Sequence, residues 1–116
     1  MNQQALVEKT GEELRDAGIK QAIDHANEVI PEWSDRAYEV VQDFLKISPL
    51  AKIGFMGEEL RLWAHQDGGL PQPENLRAWG GVVRKAASHG LIEKVRIDTV
   101  KNPKAHAANA AVWRKK

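Results

Sequence analysis

The chain contains no cysteine, which excludes disulfides and thiolate metal sites and fits a reducing compartment. It has no apolar run near the roughly 20 residues that a membrane-spanning helix needs. Its first residues, MNQQALVEKTGEEL, are polar and acidic where a secretory leader would be apolar. The expectation is a cytoplasmic protein with no membrane partner. Motifs of nucleotide and acyl chemistry are also missing: there is no P-loop, no GxSxG and no Gly-rich dinucleotide fingerprint. The histidines His25, His65, His89 and His106 are scattered, without HExxH-like pairing or an acidic partner at ligand spacing. No metal, cofactor or catalytic residue is therefore expected. A nuclease built on His89, Asn102 and His106 is excluded because the order of elements is wrong for one.

Aromatic residues are few, but four of them are tryptophans (Trp33, Trp63, Trp79 and Trp113), each able to anchor a small core. The length of 116 residues suits one domain with one modest core. Its net charge of +1 hides a division. Residues 71–116 carry ten Lys/Arg against three Asp/Glu, a balance of +7, whereas residues 1–70 carry seven against thirteen, a balance of −6. No internal repeat or low-complexity tract is present.

Along the chain, Thr10 with Glu13 has capping-box spacing, and Gly18 marks a stop or kink. Ile19, Ala22, Ile23, Ala26, Val29 and Ile30 then recur at helical spacing until Pro31. This N-terminal arm, residues 1–30, either packs on the domain or dimerises or docks on a protein partner. Residues 33–47 form a core helix with Trp33, Ala37, Val40, Val41, Phe44 and Leu45 inward. Leu50–Phe55 reads as a brief strand or extended link, and Glu58–His65 as a short helix with Leu60, Trp63 and Ala64 inward. A helix from about Glu74 to His89 turns Leu76, Trp79, Val83 and Ala86 to the core, with Gly90 as its C-cap. A strand follows with Val95 and Ile97 on one face and Lys94, Arg96 and Asp98 on the other. Asn102-Pro103 turns the chain. Ala110–Arg114 returns as a strand in which either Val112 or Trp113 closes the core.

The result is a mainly α fold with a small β-hairpin: a winged helix-turn-helix over residues 31–116, preceded by N-terminal helices. The stretches FMGEELR, GLPQPENLRAWGGVVRKAASHGLIEKV and NPKAHAANAAVWR, with LRDAGIKQAIDHANEVIPEW before them, resemble small winged-helix proteins of bacteriophages and prophages. The resemblance implies a DNA-binding module kept near phage replication or regulatory genes, in the cytoplasm of a bacterial host. The tip departs from it, with alanines in KNPKAHAANA where wing tips are often more polar.

Duplex DNA would be held by one stripe of the 74–89 helix and by the wing. On the helix, Arg77, Gly81, Arg84, Lys85 and Ser88 lie opposite the apolar face, with Asn75 near its start. Arginine suits a guanine edge, lysine suits phosphate, and Asn75 suits phosphate or an adenine edge. On the wing, Lys101, Lys104 and His106, with Arg96 and Arg114 nearby, suit phosphate or minor-groove contact. Gly80-Gly81 in a helix interior costs about 0.8–1 kcal/mol per residue, which close helix packing or, at Gly81, close approach of DNA would offset. The rival reading is a protein-interaction module that uses the same face to bind a host protein.

Overall fold

The computed structural model describes residues 11–99 and 109–116. Helix α1 (Gly11–Val29) starts with Glu12 and Glu13 in its first turn, where the positive end of the helix dipole favours carboxylates. Thr10, the expected partner of Glu13 in a capping box, lies outside the described residues. The helix runs unbroken through Gly18, so it does not stop there. Packing of the Ile19, Ala22, Ile23 and Ala26 face offsets the one glycine. Pro31 ends the helix after the last bond, Ile30 N–H to the Ala26 carbonyl at 2.8 Å. The corner into α2 (Trp33–Ile47) is clamped by Asn27 and Ser34. The Ser34 amide donates to Asn27 Oδ1 at 2.9 Å, and Asn27 Nδ2 donates back to Ser34 Oγ at 3.0 Å. One of the amide donors left over in the first turn of α2 is satisfied in this way.

The expected link at Leu50–Phe55 resolves into a one-turn helix, α3 (Leu50–Ile53), and a two-residue strand, β1 (Phe55–Met56). Ser48 Oγ accepts from the Leu50 amide at 3.2 Å, and Pro49 carries helical dihedrals, so the turn starts at once. Helix α4 (Gly57–Gln66) opens with Glu59 Oε1 accepting the Met56 amide at 3.0 Å. Helix α5 (Arg77–Ser88) begins three residues later than the spacing predicts. Gly90 follows it with φ +76°, and Leu91 N–H bonds back to the Ala86 carbonyl at 3.0 Å. Leu76, expected inward, is instead 42% exposed at the mouth of α5.

Two tryptophans organise the core. Trp33 and Trp79 meet edge to face at 5.4 Å and are both buried. Each indole N–H has a partner. Trp33 Nε1 donates to the Pro71 carbonyl at 2.8 Å, tying down the proline-rich connection. Trp79 Nε1 donates to His65 Nε2 at 3.1 Å. An indole nitrogen can only donate, so His65 must accept there and carry its proton on Nδ1. That nitrogen donates to the Leu70 carbonyl at 2.8 Å. A second aromatic group, Phe44 with Phe55 and Trp63, joins α2 to β1 and α4.

Strands β2 (Ile92–Thr99) and β3 (Asn109–Lys115) pair antiparallel, and β1 adds to the far edge of β3, giving the order β1-β3-β2. Phe55 pairs with Trp113 and Met56 with Val112. Trp113 therefore shares the face of Phe55 and packs on the main core, half-buried. Val112 is buried on the opposite face beside Met56, so each residue closes a different side of the sheet. The register slips between Lys94 and Arg96, leaving Val95 bulged. One expectation for β2 fails for that reason. Lys94 stands opposite Trp113 and Arg96 opposite Val112, so the two cations occupy different faces. Val95 and Ile97 remain exposed, Ile97 to 63%.

Helix α1 is seated on α5 through the glycine pair. A Cβ added to Gly81 would lie 2.2 Å from Ile23 Cδ1 and 3.0 Å from Ile19 Cγ2, whereas one on Gly80 would meet Ile19 Cδ1 at 3.5 Å. Gly81 is thus the residue that permits the close approach. Gly80→Ala should stabilise the protein by about 0.5–1 kcal/mol, the helix-propensity gain. Gly81→Ala should destabilise it by about 1 kcal/mol or more, because two isoleucines must move. Urea unfolding of the two variants checks this pair of opposite signs.

Candidate nucleic-acid interface

The residues expected to meet DNA are separated by the fold. Asn75 is engaged locally, one residue before the N-cap Leu76: its Oδ1 accepts the Arg77 amide at 2.9 Å at the start of α5. Arg77 lies over α1, with Nη1 3.0 Å from the position a Cβ on Gly18 would take. Arg84 Nη1 donates to Asp16 Oδ1 at 2.6 Å, again on α1. Lys85 turns the other way and places its ammonium 4.4 Å from the centroid of the Tyr38 ring on α2. Tyr38 Oη is in turn hydrogen-bonded to His89 Nδ1 at 2.9 Å. Ser88 Oγ donates to the Lys85 carbonyl of its own helix at 3.1 Å. Lys101, Lys104 and His106 lie outside the described residues.

The stripe Arg77, Gly81 and Arg84 is therefore the face on which α1 packs. With α1 seated, the part of this face around Gly81 is covered, while Arg77 and Arg84 stay exposed at its edges. Of the two readings of Gly81, helix packing is the one observed. The arginines of the hairpin are engaged as well: Arg96 pairs with Asp98 at 3.5 Å and Arg114 with Glu93 at 3.0 Å.

What the fold assembles instead is a basic trough beside α5. Two adjoining clefts share Arg15, Ile19, Arg61 and Gly80. The first is completed by Leu14, Leu76 and Arg77, the second by Gly57, Trp79, Val83, Arg84, Ala87, Lys94, Ala110, Ala111 and Trp113. Arg15, Arg61, Arg77, Arg84 and Lys94 all line it, and among the described residues no carboxylate does. Each is placed by its element. Arg61 follows the buried Leu60 on α4, Arg15 lies one turn before Ile19 on α1, and Lys94 stands on the face of β2 shared with Trp113. Five cations around an open trough make a surface for an extended anion, with aliphatic and aromatic carbon forming the floor.

Sequence reasoning missed Arg15 and Arg61. Each is a single arginine in an acidic segment, beside Glu12, Glu13 and Asp16 or after Glu58 and Glu59. Only tertiary packing makes them a group. Lys94 was legible as a polar strand residue, but its place beside Trp113 is set by pairing with β3.

Among the described residues, His25, His65 and His89 each have a separate partner. His25 Nε2 donates to Glu74 Oε2 at 2.8 Å, and His65 is held by Trp79 and Leu70. Among the described residues, no group of three His, Asp or Glu side chains is placed to hold a metal ion, and no helix is long and apolar enough to cross a membrane. No family model, curated protein or solved structure matches the chain.

The place of Lys85 on Tyr38 can be measured. A double-mutant cycle of Lys85→Ala with Tyr38→Leu should give a coupling of about 0.5–1 kcal/mol in unfolding free energy. A coupling near zero would mean that Lys85 points elsewhere.

Proposed function

We propose that the chain is a winged helix-turn-helix module of phage type that binds double-stranded DNA through its basic trough, in phage gene regulation or replication. The order of elements supports the fold: a core helix, a short strand, two helices, then an antiparallel hairpin whose return strand pairs with the first strand. In this reading α4 and α5 are the helix-turn-helix, and β2 and β3 are the wing. The observation that carries the function is the trough itself, lined by Arg15, Arg61, Arg77, Arg84 and Lys94 and, among the described residues, by no carboxylate.

The mode of recognition follows from what covers α5. Base edges are read by side chains that enter a groove, and α1 lies against the middle of the α5 face, at Gly81, that would do so. Phosphate contact needs only cations facing the backbone, which the trough supplies. Recognition is then by charge and shape more than by base sequence. The N-terminal helix belongs to this surface through Arg15, and its Ile19, Ala22, Ile23 and Ala26 face packs within its own chain. Homodimerisation through that apolar face is accordingly disfavoured.

A second reading has an observation of its own. A winged helix whose reading face is covered suits a protein-interaction module, with the trough engaging an acidic surface of a host protein. The two separate in one titration. Fluorescence anisotropy with a labelled duplex should show binding that weakens with a log–log salt slope between about −3 and −4.5, the value for three to five phosphates neutralised. Arg15→Ala with Arg61→Ala should weaken it at least about tenfold, because two cations that displace counterions from the backbone are gone. Lys85→Ala with Ser88→Ala should change it less than about twofold, since neither side chain reaches the trough and so neither displaces a counterion. Absence of binding at low salt, or equal effects of the two pairs, would overturn the proposal.

A further inference from the structure

We propose that the Asp16 carboxylate holds the place of a backbone phosphate at the lip of the trough, so that α1 competes with nucleic acid for Arg84. The inference rests on the trough being a nucleic-acid surface, and it adds the regulation of that surface. Arg84 lines the trough, and its Nη1 is 2.6 Å from Asp16 Oδ1. A carboxylate and a phosphodiester offer a guanidinium the same kind of anionic oxygen acceptors. The one therefore stands where the other would bind.

The pair is built to be exchanged. The Arg84 and Asp16 side chains are 52% and 48% exposed, so water screens their attraction and the contact is weak. Asp16 lies in the first half of α1, where every residue from Gly11 to Ala17 is exposed. Burial begins beyond it, with Ala22 and Ala26 in the core. Arg84 can thus leave Asp16 without unseating the helix. A phosphodiester in the trough meets Arg15, Arg61 and Lys94 as well as Arg84, while Asp16 offers Arg84 one partner. Asp16 sets a threshold: it repels the polyanion and withholds one cation until several phosphate contacts form together. Weak or short anions are rejected, and a continuous phosphate backbone is accepted.

The experiment is an anisotropy titration of a labelled mixed-sequence duplex at about 0.1 M salt, where charges further apart than about 10 Å are screened. The full chain is compared with Asp16→Asn, Arg84→Ala, the double variant and Asp24→Asn. Asp24 is an exposed carboxylate two turns further along α1, paired with Lys20, and its replacement removes the same charge away from Arg84. Asp16→Asn should tighten binding about three- to fivefold, as expected for releasing one exposed pair. The gain should vanish in the Arg84→Ala background, and Asp24→Asn should change affinity by less than about 1.5-fold, as its charge is screened. Equal affinity of Asp16→Asn and the parent overturns the inference while leaving the trough intact. So does a gain that persists without Arg84, or an equal gain from Asp24→Asn. If no variant binds duplex, the trough reading itself fails and this inference with it.

Discussion

The seam between α1 and α5 is the constraint on which the rest depends. Gly81 has no side chain, so Ile23 and Ile19 can lie against the backbone of α5. That approach seats Ala22 and Ala26 in the same core as Trp33 and Trp79. It also fixes three polar consequences. Asp16 is brought to Arg84, His25 to Glu74, and Arg15 to the edge of the trough. A bulky residue at position 81 would lift α1 and disperse all of them. The two glycines look like a defect in a helix by propensity alone, yet one of them is the condition for the interface.

The same seam decides how an anion can be held. A recognition helix needs a free outer face, and here α1 packs on part of that face, around Gly81. The five cations of the trough come from α1, α4, α5 and β2, and they surround it instead of projecting from one helix. Such an arrangement distributes charge along a backbone and offers little that could discriminate base edges. The trough also keeps its own carboxylate nearby, at the lip and not on the floor.

Much of the fold was legible because periodicity reports burial. The stripe of α2 from Trp33 to Leu45, the Pro31 stop and the Gly90 cap were all readable from spacing and local backbone chemistry. The β-hairpin was readable from alternation, but its faces were not, since a bulge at Val95 shifts every later side chain and leaves no trace in composition. Val112 and Trp113 could not be separated for a related reason: both are apolar, and the sheet is covered on both sides at that point. The candidate site was less legible still. A helical stripe of Arg77, Gly81, Arg84 and Ser88 shows that a polar face exists, not that a second helix covers it. Arg15 and Arg61 carried no local signal, because a cation among carboxylates reads as an ordinary solvated helix face. Asn75 lay close to a helix start, where its side-chain oxygen accepts a first-turn amide of α5.

The central claim is that DNA lies in the trough while α1 stays on α5. NMR of the labelled protein with and without duplex tests it most directly. The account predicts amide shifts at Arg15, Arg61, Arg84 and Lys94, with the contacts of the Ile19 and Ile23 methyls to Gly80 and Gly81 unchanged on binding. Disappearance of those methyl contacts, with the largest shifts on the face of Gly81 and Ser88, would show that α1 leaves and that α5 itself enters the groove, contradicting the account.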